Sequence, residues 1–180
     1  MELKQGIETR RSIRSYTEQA VTAEQIEEIV KAAQLAPSWK NSQTARYYAI
    51  LDPALKERIA AEGTMQFSKN MQNIRSAAAL VVLASVEGIA GYNPDGGFTT
   101  ALGTHWQSFD AGIACQTFCL AAHDLGLGTL IMGIFDPEKV AELAGLPEGQ
   151  HVAALIAVGY PAVHPDAPAR KPLSDVLVIR

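Results

Sequence analysis

Residues 104–125, "THWQSFDAGIACQTFCLAAHDL", carry helical spacing with apolar side chains on nearly every side. A helix without a polar face must be covered almost all the way round. The chain has 180 residues, enough for one domain with a real core but few elements with which to wrap a helix of this length. A partner subunit is one candidate for the second cover.

Composition excludes several classes. With 48% hydrophobic and 19% charged residues the chain reads as globular rather than disordered. Nineteen acidic against fifteen basic residues, a net charge of −4, argue against a nucleic-acid partner. The opening "MELKQGIETRR" places charges where a secretory segment needs apolar residues. The apolar runs around 77–86 and 111–122 are too short to span a bilayer. No membrane partner is expected, and the cytoplasm is the expected location. Cys115 and Cys119, four apart on one helix face, suit buried small side chains better than a disulfide or half a metal site, so no metal is assigned.

The spacing predicts a short helix over 2–9 with Leu3 and Ile7 inward, then a helix opened by the capping pair Thr22 and Gln25 and stopped before Pro37. "APSWKNSQTARYYAILD" supplies a loop at 37–44 and a strand at 46–51. Asp52-Pro53 opens a helix to 62, and Asp136-Pro137 opens another that Gly145 ends. "AAALVVLAS" (77–85), "TLIMGIF" (129–135) and "HVAALIAVGYP" (151–161) read as buried strands. Residues 88–106, rich in glycine and polar groups, form a candidate substrate flap. A proline-rich connection, 161–172, leads to "SDVLVIR", a terminal strand able to join another chain's sheet or its own. Strands and helices do not alternate strictly, which predicts one α+β domain over 1–180, helices flanking a central mixed sheet.

"TRRSIRSY" (9–16) puts three arginines into five positions of an acidic chain. On a helix Arg10 and Arg14 would share a face and repel unless an anion lay between them; phosphate fits the guanidinium fork, and Ser12 adds a donor. A solvated patch paired with Glu8 and Glu18 explains the spacing equally well. "GLGTLIMG" lacks the third glycine of a dinucleotide-binding turn and follows a helix rather than a strand. The histidines are scattered: His123 reads as a helix-edge residue, and His105, beside Trp106, is better explained as structural than catalytic. "PSWKNSQ" (37–43) combines short polar groups with an aromatic ring, a set suited to the edge and face of a flat heterocycle, or to an ordinary loop.

Taken in order, "RRSIRSY", "APSWKNSQ", the strand at 77–85, "DAGIACQTFCLAAHDLGLGT" and "ARKPLSDV" resemble the nitroreductase family of FMN-dependent oxidoreductases over essentially the whole chain. The resemblance implies a mainly antiparallel sheet, an obligate homodimer with FMN at sites built by both subunits, and a C-terminal strand exchanged with the partner. It implies that Arg10, Arg11, Ser12 and Arg14 hold the phosphate and ribityl tail, joined by Arg170 with Lys171 beside it. Pro37, Ser38, Trp39 and Asn41 would reach the flavin from the other subunit, Asn70 and Asn73 would contact its pyrimidine end, and Met132 and Gly133 would pass near N5. Hydride would move from NAD(P)H through flavin N5 to nitroaromatic or quinone acceptors by ping-pong kinetics, with no catalytic side chain required. Tyr92, Phe98 and Trp106 are candidate walls of the substrate pocket. The alternatives are a flavin-binding or sensor protein without turnover and a reductive dehalogenase or flavin-modifying relative. Two departures stand out: Thr44 and Ala45 follow Gln43 where many members have proline and tryptophan, and Asn73 stands where some have lysine.

Overall fold

A computed structural model describes residues 2–180. Its centre is β2 (Ala79–Val86), flanked on one side by β1 (Ala45–Ile50) and on the other by β4 (Gln150–Gly159), with β3 (Gly128–Met132) at the far edge. Every pairing among these strands is antiparallel, and the isolated bridge from Ser12 to Thr129 runs parallel. The sheet is thus mixed only through that bridge.

Side-chain alternation along β2 divides the core. Ala79, Val81 and Leu83 pack with α2 (Ala23–Ala33) and α5 (His105–Asp124) on one face. Leu80 and Val82 pack on the other face, whose cover comes from α3 (Pro53–Glu62), α4 (Ser68–Ser76) and α6 (Pro137–Ala144). A strand covered on both faces must be apolar throughout, as "AAALVVLAS" is.

The helix starts follow their caps. Thr22 and Gln25 form a reciprocal capping box, and Asp52 and Asp136 each accept two backbone N–H bonds ahead of a proline. Gly145 ends α6 in the left-handed region at φ 70°. Cys115 and Cys119 are buried and unpaired.

Two expectations are corrected. The first helix forms, as α1 (Leu3–Thr9), but Leu3 is 73% and Ile7 58% exposed, because the rest of the chain offers that face no apolar cover. The strand expected at 174–180 does not form within the chain: Leu173–Asp175 makes one 3-10 turn, and the remainder has no pairing partner in its own sheet. Helix α4 lies between the expected 53–62 helix and the 77–85 strand, where the sequence reading assigns no element. Among the described residues no helix is long and apolar enough to cross a membrane.

Candidate functional site

The arginine stretch is not helical. Helix α1 stops at Thr9, Arg10 turns extended (ψ 132°), and the Ile13 N–H donates to the Thr129 carbonyl at 2.9 Å. Residues 10–14 therefore run along the start of β3, and Gly128 makes that approach possible, since a β-carbon there would lie 2.5 Å from Ile13 Cγ1. The condition under which Arg10 and Arg14 would share a helical face is therefore not met. An extended chain advances about 3.3 Å per residue, which separates the two positions by roughly 13 Å.

They enter different clefts. Arg10 and Arg11 line one of about 410 Å³, with Thr129, His123, His164 and Asp166. Arg11 is partly committed: its guanidinium donates to the Glu8 and Arg10 carbonyls at 2.7 and 2.8 Å, closing the end of α1. The Thr9 hydroxyl donates to the Gln5 carbonyl, so its oxygen accepts from His123 Nε2 at 2.8 Å. Burial, then Arg10 and Arg11, hold His123 below the usual histidine range, with His164 acting in the same sense and Asp124 opposing. Sequence reasoning gave His123 no site; the tail that folds back over the end of α5 brings it there.

Arg14 lines a second cleft, of about 590 Å³, with Lys69, Asn70, Asn73, Met132 and Gly133. Helix α4 supplies the polar wall, and β3 with the turn after it supplies the backbone wall. Asn70 is buried, and its Nδ2 donates to the Ile134 carbonyl at 2.8 Å, tying the two walls together. Gly133 faces open space, with nothing within 4 Å of an added β-carbon. Among the described residues this lining holds two cations and no acid. Lys69 escaped sequence reasoning, though it precedes Asn73 by one helical turn and the helical phase of 68–76 would have paired them.

The loop at 37–44 builds a third site. Trp39–Asn41 make a 3-10 turn in which Lys40 and Asn41 are left-handed, as is Gln43. Ser38 Oγ accepts from the Gln43 N–H at 2.9 Å, and the Trp39 N–H donates to Asp110 Oδ2 at 2.8 Å. Pro37 and Ser38 line a cavity of about 280 Å³ with Asp110 and Arg46, sharing no residue with the Arg14 cleft. The Trp39 and Trp106 rings lie 4.7 Å apart, and Phe109 continues the cluster 5.4 Å from Trp106. Phe109 was also missed.

The remaining expected residues are dispersed. Tyr92 and Phe98 pack on each other at 5.0 Å, closing the flap on itself. Asn41 is exposed. Arg170 donates to the Pro168 carbonyl at 3.3 Å within the exposed tail, and neither it nor Lys171 lines any of these three clefts.

An antiparallel sheet between two helical layers, with an arginine-lined cleft at each end of the segment beside β3, defines an α+β fold. The chain belongs to the nitroreductase family, whose profile matches residues 7–160. It is 31% identical over 179 residues to the NAD(P)H FMN reductase of Bacillus subtilis, covering 95% of this chain and 69% of that one. It is 31% identical over 195 residues to an NADH dehydrogenase of Thermus thermophilus, covering 95% and 92%. The solved structure of nitroreductase A from Vibrio parahaemolyticus matches with a TM-score of 0.82 at 28% identity, covering 98% of this chain and 74% of that one.

Proposed function

We propose that this chain is a cytoplasmic, homodimeric FMN-dependent oxidoreductase that passes hydride from NAD(P)H to flat acceptors, nitroaromatics or quinones. The observation that carries the proposal is the cleft joining Arg14, Asn70, Asn73, Met132 and Gly133, which come from three separate parts of the chain.

The residues fit FMN. Arg10, with Thr129 and part of Arg11, offers donors for a phosphate at one end of the 10–14 segment, and Ser12 lies between the two clefts. At the other end the open surface at Gly133 leaves room for a ring, and Arg14 and Lys69 bring positive charge without an opposing carboxylate. On this reading Arg14 serves the ring rather than the phosphate. Arg170 and Lys171, on the tail, would approach a phosphate only if the tail moved or came from a partner.

FMN, when bound, supplies the hydride acceptor and donor of the reaction. The chain orients and stabilises it. Arg14 and Lys69 favour added negative charge at the ring, and the Asn70 bond to Ile134 fixes the backbone wall. Trp106 and Phe109, with Trp39, provide aromatic surface for flat substrates. NAD(P)H and acceptor would use one open face in turn, hence ping-pong kinetics.

The test is the visible spectrum of purified protein before and after anaerobic NADH or NADPH, then after a quinone. Flavin bands that bleach and return support the assignment. Bands that never bleach mean a binding protein without turnover, and protein that takes up no FMN ends the proposal.

A further inference from the structure

Among the described residues Asp110 is the one buried acid, 4% exposed on the second turn of α5, where it lines the cavity beside the 37–44 loop. Among the described residues it makes no ion pair, and its hydrogen bond is from the Trp39 N–H. A carboxylate in such a place is unfavourable unless it does something an apolar side chain cannot. Burial raises its pKa, and the Trp39 N–H pulls it back.

What it holds is an unfavourable turn. Lys40 at φ 47°, Asn41 at 56° and Gln43 at 50° occupy the left-handed region within four residues, and only asparagine tolerates it readily. Such backbone persists where its surroundings over-determine it. Three ties do so here. Asp110 fixes the start through the Trp39 N–H, Ser38 Oγ spans to the Gln43 N–H, and Arg46 donates to the Gln43 carbonyl at 2.8 Å. Of these, only Asp110 comes from outside the loop and its strand. The Trp39 ring also rests on Trp106, so backbone and side chain of one residue are both referred to α5.

We propose that Asp110 is a positioning residue: through the Trp39 N–H it anchors the 37–43 turn to α5 in the conformation that presents Ser38 and Asn41 to the flavin. This rests on the FMN assignment above. The acceptor oxygen, rather than the negative charge, does the anchoring, because a backbone N–H needs only a lone pair.

The test compares wild type, Asp110→Asn and Asp110→Ala as full chains, first without flavin and then with FMN. In flavin-free wild type the Trp39 amide should exchange at least about 100-fold more slowly than in an unstructured peptide. The near-ultraviolet circular dichroism of the Trp39–Trp106 pair should persist in Asp110→Asn and fade in Asp110→Ala. On FMN titration, Asp110→Asn should bind within about threefold of wild type and Asp110→Ala at least about tenfold more weakly, with an altered visible dichroism of the bound flavin. An unprotected Trp39 amide in wild type overturns the anchor without recourse to any variant. So does an Asp110→Ala protein with wild-type dichroism and FMN affinity, or an Asp110→Asn protein as impaired as Asp110→Ala. A protected amide in wild-type protein that binds no FMN leaves the turn anchored but overturns its presentation to flavin, and the FMN assignment with it.

Discussion

Arg10 and Arg14 are four residues apart in sequence yet enter different clefts, so their removal should have different chemical signatures. A charge-assisted hydrogen bond contributes about 1.5–3 kcal/mol, and 1.4 kcal/mol is tenfold in affinity. Arg10→Ala should weaken FMN binding by roughly 10- to 100-fold and leave riboflavin, which lacks the phosphate, nearly unaffected. Arg14→Ala should weaken both flavins by similar factors. Titrations following flavin fluorescence decide between them. Equal losses of FMN and riboflavin in Arg10→Ala would place Arg10 at the ring and undo the division. The difference arises from the backbone: the extended segment, pinned at Ile13, sets the two positions roughly 13 Å apart along the start of β3 rather than one helical turn apart.

At the scale of elements, the segment and β3 form a unit that depends on the missing side chain at Gly128. Its added β-carbon would meet Ile13 Cγ1 and Cβ at 2.5 and 2.8 Å, and Ile13 is buried. Gly128→Ala should therefore cost about 1–3 kcal/mol, seen as a lower urea midpoint with unchanged slope, and should loosen FMN at both clefts together. Unchanged stability would mean that the segment does not depend on this packing. Elements with local chemistry were legible: the Thr22–Gln25 box, Asp52 and Asp136 before proline, and Gly145 all act as their residue types dictate. Helix α4 was not, because Phe67 gives it no side-chain cap and "SKNMQNIRS" is mostly polar, burying Asn70 and Ile74. Likewise, the sequence spaced Leu3 and Ile7 as an inward face and could not show that this chain leaves them uncovered. In the candidate site, the residue types of the 10–14, 37–41 and 70–73 segments were readable. Which cleft each enters was not, since that depends on the extended run beside β3 and on the helical phase of α4.

At the scale of the molecule, several apolar features remain without cover in one chain. Leu173, Val176, Leu177, Val178 and Ile179 are all exposed, as are Leu3, Ile7 and Phe109. A monomer rarely leaves so much large apolar surface in water. The tail also carries Arg170 away from the Arg10 cleft, and the 37–43 turn lies apart from the Arg14 cleft within the same chain. A second copy would cover the first set and complete the second. The full chain should therefore sediment at micromolar concentration with twice its 19.3 kDa mass. A chain ending at Pro172 keeps Arg170 and Lys171 but loses the five apolar tail residues. It should lose the dimer and at least about tenfold in FMN affinity together, because the missing cover would leave the two halves of each site unjoined. A full-length monomer that binds FMN tightly would place the whole site within one chain, and the exposed tail would then need another partner.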